Sequence, residues 1–243
     1  MRLTNILIFG WIASCVSLPA FAAGYGDNLV VNGGAEASVG VADTSTTTML
    51  PPTGWNVTGT LTAAQYGGAG GFPLATSPGP ADRGVNFFVG GRSMGMMGGS
   101  SSATQTISLA SFLGDIAGGQ VGYSFSAYLG GYVNDTDSPG LSLSFRDGAN
   151  GVISSVALAG VSAADRNNVT GLLFRDATGL VPSNAQSVSL LLTFTKNKGM
   201  YNDASADNIA FSLSAPAVPE PETYAMMLAG LALLGGAARR RRR

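Results

Sequence analysis

Four stretches of this chain alternate apolar and polar residues with a period of two. Val121, Tyr123, Phe125, Ala127 and Leu129 alternate with Gly122, Ser124, Ser126 and Tyr128. Leu141, Leu143 and Phe145 alternate with Ser142 and Ser144. Val188, Leu190, Leu192 and Phe194 alternate with Ser187, Ser189, Leu191 and Thr193, and Ile209, Phe211 and Leu213 with Ala210, Ser212 and Ser214. This period predicts strands with one buried face and one wet face. Turn signals separate them at Asp137-Ser138-Pro139-Gly140, Asp147-Gly148-Ala149-Asn150-Gly151 and Lys196-Asn197-Lys198-Gly199. Many short strands with polar breaks predict an all-β antiparallel sandwich. No long stretch of the body has helical periodicity, although Ser111 to Ile116 suits one turn. The Gly-rich segments Gly67 to Gly71 and Gly90 to Gly99 read as long loops. Neither has a Walker lysine or a strand-turn-helix setting, which argues against phosphate binding.

The two ends follow different rules. Residues 1–22 have the layout of a secretory signal peptide: Arg2, an apolar stretch from Ile6 to Ala13, and the small-x-small sequence Ala20-Phe21-Ala22. Signal peptidase would cut between Ala22 and Ala23. Ile12-Ala13-Ser14-Cys15 resembles a lipobox and leaves a lipoprotein start open. At the other end, Val218-Pro219-Glu220-Pro221 precedes an apolar run from Tyr224 to Ala238 and then Arg239, Arg240, Arg241, Arg242 and Arg243. Fifteen residues of helix span about 22 Å at ~1.5 Å per residue, short of a hydrocarbon core of roughly 30 Å. Arginines that snorkel to the interface help a short span, and they favour the cytoplasmic side. Residues 224–238 are therefore expected to be a transmembrane helix ending in an arginine stop. The two prolines keep residues 215–223 extended and exposed. The order of these elements closely resembles the PEP-CTERM signal of Gram-negative bacteria, read by the membrane protease exosortase. The resemblance implies export, a membrane-anchored precursor, and later release or attachment at the cell surface. The alternative is a plain single-pass tail anchor.

Residues 23–214 are long enough for one sizeable domain. Only 11% of the chain is charged, and the formal net charge is −1. That near-neutrality hides an acidic body. Setting aside Arg2 and the terminal arginines from 13 basic residues, and Glu220 and Glu222 from 14 acidic ones, leaves 7 against 12. An acidic body without a basic cluster argues against nucleic acid. The chain has no histidine and one cysteine, Cys15. That excludes Ser-His-Asp triads, His-ligated zinc and an internal disulfide. Carboxylate chemistry remains, as in glycosidases, but Asp43, Asp82, Asp115, Asp165, Asp176 and Asp203 form no pattern of acid and nucleophile. The body reads as non-enzymatic.

Asn28-Leu29-Val30-Val31-Asn32-Gly33-Gly34-Ala35-Glu36 and Ala206-Asp207-Asn208-Ile209-Ala210-Phe211-Ser212-Leu213 together resemble the first and last strands of jelly-roll carbohydrate-binding modules with a galactose-binding-like fold. Ala35 stands where that pattern has an aromatic residue. The resemblance implies a jelly-roll sandwich and a structural Ca²⁺ held by Glu36 and Asp207 with backbone carbonyls. Calcium takes six to eight hard oxygens, and carboxylates from both ends of the domain would clip it shut. The alternative places Glu36 in a surface turn and bonds Asp207 to a backbone amide. Asp135-Thr136-Asp137 reads as a polar turn.

Sugar-binding surfaces stack apolar sugar faces on aromatic rings and add polar contacts. Trp55 and Tyr128 are the first candidates, followed by Tyr66, Tyr132 and Tyr201; core packing is the competing role for each ring. The expected function is an exported, exosortase-sorted surface or matrix protein with a glycan-binding sandwich, its partner an extracellular polysaccharide. A purely structural surface protein and a carboxylate-dependent glycoside hydrolase or lyase are the alternatives.

Overall fold

The computed structural model describes residues 23–93, 99–197, 199–217, 226–231, 234 and 240. Eleven strands carry the body among these residues: β1 Val41–Asp43, β2 Asn56–Thr58, β3 Thr62–Ala69, β4 Asn86–Arg92, β5 Ser100–Ser108, β6 Gly122–Gly131, β7 Ser138–Arg146, β8 Val152–Ala157, β9 Gly171–Leu180, β10 Ser187–Thr195 and β11 Tyr201–Ser214. They form a six-stranded sheet in the order β1-β3-β4-β11-β6-β9 and a five-stranded sheet in the order β2-β5-β10-β7-β8. The short helical turn expected at Ser111 to Ile116 is present as a 3-10 turn, Ala110–Phe112, followed by α1, Leu113–Ile116.

The predicted alternation sets the core. Tyr123, Phe125, Ala127 and Leu129 of β6 and Ile209, Phe211 and Leu213 of β11 point inward. They meet Leu141, Leu143 and Phe145 of β7 and Val188, Leu190, Leu192 and Phe194 of β10 from the other sheet. Phe145 bridges the layers, with ring centroids 5.2 Å from Tyr123 and 6.3 Å from Phe211. Burying each such side chain is worth roughly 1.5–3 kcal/mol. A second, smaller core lies on the outer side of the six-stranded sheet, where Val41, Ala64, Phe72, Phe87 and Val89 cluster.

Several expectations are corrected. The pairing is not wholly antiparallel, because β1 runs parallel to β3. Ser138, Pro139 and Gly140 are strand rather than turn: they open β7 opposite Thr195, Phe194 and Thr193. Proline is tolerated there because β8 pairs only from Ser142 onward, leaving β7 one neighbour at that end. The chain reverses earlier, where the Asp135 N–H donates to the Tyr132 carbonyl at 2.8 Å. Gly67 and Gly68 belong to β3, and Gly90 and Gly91 to β4. The remaining Gly- and Met-rich residues 94–98 lie outside the described residues.

The signal-peptide expectation falls on residues 1–22, outside the described residues, as do Val218, Pro219, Glu220 and Pro221. Residues 226–231 and 234 are helical, and their side chains are mostly exposed. Among the described residues no helix is long and apolar enough to cross a membrane. The span expected at 224–238 is not seen as such, and eight of its fifteen positions lie outside the described set. Arg240 is described and exposed, whereas Arg239, Arg241, Arg242 and Arg243 lie outside.

Candidate glycan-binding groove

The opening and closing segments lie side by side. Gly26 and Leu29 donate to the carbonyls of Leu213 and Phe211, both at 2.8 Å, and Ile209 donates to Gly33 at 2.9 Å. Asn28 completes the join: its Oδ1 accepts from the Phe211 N–H at 3.1 Å and its Nδ2 donates to the Ile209 carbonyl at 3.2 Å. The opening segment thus flanks the lower half of β11, although it is a run of turns rather than a regular strand. Gly33 permits the approach, since a Cβ there would lie 2.0 Å from the Ile209 carbonyl oxygen.

This join brings Glu36 and Asp207 into one neighbourhood. A Cβ on Gly34 would lie 3.4 Å from Asp207 Oδ1 and 3.7 Å from Glu36 Cγ. Glu36 is exposed, and its carboxylate accepts the amide N–H groups of Val85, at 3.0 and 3.1 Å, and Asn86, at 2.8 Å. Asp207 is fully buried; Oδ2 accepts the Tyr66 hydroxyl and Oδ1 the Asn208 N–H, both at 2.7 Å. Burial raises the Asp207 pKa to about 7 against those two bonds, and the nearby charges of Glu36 and Asp82 add to the rise. The Asn86 side-chain oxygen is buried without a hydrogen-bond partner. Glu36 and Asp207 supply the hard oxygens that Ca²⁺ takes, although in this structure their carboxylate oxygens already accept from Val85, Asn86, Tyr66 and Asn208. The orphaned Asn86 oxygen lies apart from them, beside Gly40, where a Cβ would be 2.4 Å away.

The outer faces of the two sheets differ. The five-stranded sheet presents Ser102, Thr104, Ser142, Ser144, Ser189 and Thr193 with Leu191 among them, and no ring among the described residues. The six-stranded sheet presents an aromatic pair. Tyr128 of β6 lies directly opposite Phe174 of β9, with ring centroids 5.3 Å apart. Tyr128 is half-buried, and Phe174 is 51% exposed. The pair borders an open groove of about 400 Å³ that also includes Asn28, Asp82, Ser126 and Asn208. Asn208 Nδ2 donates to Asp82 Oδ1 at 2.8 Å, which fixes both polar groups at the rim. Rings with polar groups beside them can stack a sugar face and bond its hydroxyls.

Residues 70–84 cross the sheet above this groove. Arg83 shapes that segment by donating to the carbonyls of Pro80, Leu74 and Ser77 at 2.8 to 2.9 Å. Its guanidinium also lies 5.1 Å from the Tyr66 ring centroid. The Leu172 N–H donates to the Pro78 carbonyl at 2.9 Å, stitching the segment to β9.

Of the two leading rings, one is corrected. Trp55 is 7% exposed, packs edge-on against Phe88 at 5.4 Å, and donates its indole N–H to the Asn32 carbonyl at 3.3 Å. It is a core residue and offers no open face to a sugar. Tyr66 is spent on Asp207, and Tyr201 packs on Phe72 at 5.9 Å. Phe174 and Asp82 were missed in the sequence. Phe174 faces solvent on an edge strand, so it fits no buried-face pattern, and Asp82 reaches the groove only through the fold of residues 70–84.

Asp135 and Asp137 form the expected polar turn, with the Asp137 N–H donating to Asp135 Oδ1 at 3.1 Å. Asp203 joins them, and carboxylate oxygens of the three lie within 4.8 Å of one another. Burial and the two neighbouring aspartates raise the Asp203 pKa to about 7, while Arg166 opposes the rise. Asp137 uses its oxygens on the N–H groups of Asn197 and Asp203, at 2.7 and 3.0 Å, which ties two loops together.

Solved structures similar to this chain include the carbohydrate-binding module TmCBM61 in complex with β-1,4-galactotriose, at 13% identity over 78% of this chain and 99% of that one, with a TM-score of 0.45. A family 16 carbohydrate-binding module is similar at 16% identity, 76% and 99% coverage and a TM-score of 0.44. The enzymatically active domain of tailspike protein 4 of bacteriophage CBA120 is similar at 18% identity over 76% of this chain, with a TM-score of 0.46. This chain spans only 21% of that tailspike chain. No curated protein matches. Residues 217–243 match the PEP-CTERM protein-sorting motif, and the chain is a carrier of that motif.

Proposed function

We propose that this is an exosortase-sorted surface or matrix protein whose sandwich binds extracellular polysaccharide without catalysis. The observation that carries the binding reading is the Tyr128–Phe174 pair, with Phe174 half exposed beside Asp82 and Asn208. An aromatic ring open to water on a strand's outer face, with polar groups beside it, is a platform that a ligand can cover. A pyranose does so with its apolar face while its hydroxyls reach the polar rim. The sorting motif supports the location, and the acidic body supports a neutral rather than an anionic glycan.

In this reading, signal peptidase releases the body after Ala22, and exosortase acts at Val218 to Pro221. Calcium, where bound by Glu36 and Asp207, would be structural: it would neutralise the crowded carboxylates and fasten the opening segment to β11. The test is calorimetric titration of the protein with short oligosaccharides cut from the host's extracellular polysaccharide. Saturable binding that Phe174→Ala weakens supports the reading. Absence of binding across that set overturns it.

A further inference from the structure

The six-stranded sheet has a second groove on the far side of residues 70–84. It has a volume of about 440 Å³ and includes Leu74, Ser77, Tyr132, Asn168, Val169 and Thr170. We propose that it is a second saccharide-contact site for an uncharged sugar segment, so that one body can touch two stretches of glycan. The inference rests on the glycan-binding reading above and deepens it.

Five observations point to a neutral sugar. Tyr132 is 37% exposed although it is a large ring on a folded body. One face is fixed against the backbone, because a Cβ on Gly71 would lie 2.4 Å from the Tyr132 ring. Leu74 and Val169, 54% and 47% exposed, extend the apolar floor. The side chains of Ser77, Asn168 and Thr170 place hydroxyl and amide groups beside that floor. No carboxylate and no basic side chain is among the described residues bordering the groove. That lining suits a ligand without charge, apolar on one face and hydroxylated at its edges.

The groove lies on the same sheet face as the first site. Tyr128 and Tyr132 are four residues apart on the outward side of β6 and its extension, ~13 Å at ~3.3 Å per residue. The segment stitched to Leu172 by Pro78 separates the two grooves, so each takes its own stretch of sugar. The backbone around Tyr132 is held in an unusual shape. Val133 has φ 25° and Asn168 has φ 56°, and the Val133 N–H donates to the Thr170 hydroxyl at 3.1 Å. A β-branched residue at positive φ persists only where its surroundings over-determine it.

The test is residue-level covalent footprinting of the protein purified from its host, with and without oligosaccharides cut from the host's extracellular polysaccharide. Protection is expected at Phe174 and also at Tyr132, Leu74 and Val169. Tyr132→Ala should remove protection from the second groove and leave Phe174 protected. Should Tyr132→Ala fail to fold, Val169→Lys, at an exposed position, serves the same purpose, and it should weaken binding at that groove roughly tenfold or more, equivalent to ~1.4 kcal/mol. Protection confined to Phe174 and Tyr128 overturns this inference and leaves the first site standing. Absence of protection at both grooves overturns both readings together.

Discussion

The Tyr66 hydroxyl donates a 2.7 Å hydrogen bond to Asp207 Oδ2, joining residues 141 apart in sequence on β3 and β11. Asp207 is fully buried, so this bond and the one from the Asn208 N–H are its protein compensation. Tyr66→Phe leaves a buried carboxylate short of one donor. The expected loss is about 1–3 kcal/mol in urea unfolding. Wild-type stability in Tyr66→Phe would show that water or a cation already serves Asp207.

Asp203 and Asp207 give stability a pH dependence of definite sign. Both are acids whose folded pKa, about 7, lies above the ordinary 3.8. Between those values the folded chain binds more protons than the unfolded chain, so stability falls as pH rises. Melting followed in EDTA should show a lower Tm at pH 7.5 than at pH 5. Asp203→Asn should flatten part of that slope, because it removes the group pressed by Asp135 and Asp137. A Tm that rises over this range contradicts the buried-carboxylate account.

Calcium would act on the same slope from the other side. Binding to the folded state alone stabilises it by mass action. Adding Ca²⁺ to EDTA-treated protein should raise the Tm, and Glu36→Gln should abolish the rise. An unchanged Tm removes the structural calcium.

Trp55 and Phe174 should respond oppositely to truncation. Trp55→Ala empties a buried site and should cost about 3–5 kcal/mol of stability. Phe174→Ala should change stability by under ~1 kcal/mol, as an exposed position does, while weakening glycan binding. Equal stability losses in the two variants would make Phe174 a core residue in solution.

The strands carrying the core were legible because their buried positions are aliphatic or aromatic and their outer ones polar. β6, β7, β10 and β11 follow that rule. β5 does not: its buried positions include Ser101 and Gln105, the latter spent on the Val31 and Gly54 backbone. β9 does not either, because Phe174 faces out while Arg175 has the inward parity. The groove was half legible for the same reason. Tyr128 was found from its strand parity, whereas Phe174 arrives by long-range pairing and Asn208 and Asp82 by a side-chain contact 126 residues apart in sequence. Trp55 misled because a large ring beside turn residues reads equally as platform or core, and only the Phe88 contact decides.

The C-terminal motif predicts processing. Intact-mass analysis of the envelope and medium fractions should find a chain starting at Ala23 and ending near Val218. Replacing Pro219-Glu220-Pro221 with alanines should retain the full C-terminus in the membrane. Unchanged processing in that variant would separate this tail from exosortase.

The Tyr128–Phe174 pair on the six-stranded sheet should bind glycan through its exposed Phe174 ring. The most direct measurement is retardation of the protein in native gels containing the host's extracellular polysaccharide. Phe174→Ala is compared with Leu191→Ala, a control at a 40% exposed site on the other sheet. Retardation of wild type and Leu191→Ala, with its loss in Phe174→Ala, is the predicted result. Equal migration of all three with and without polysaccharide would contradict the claim.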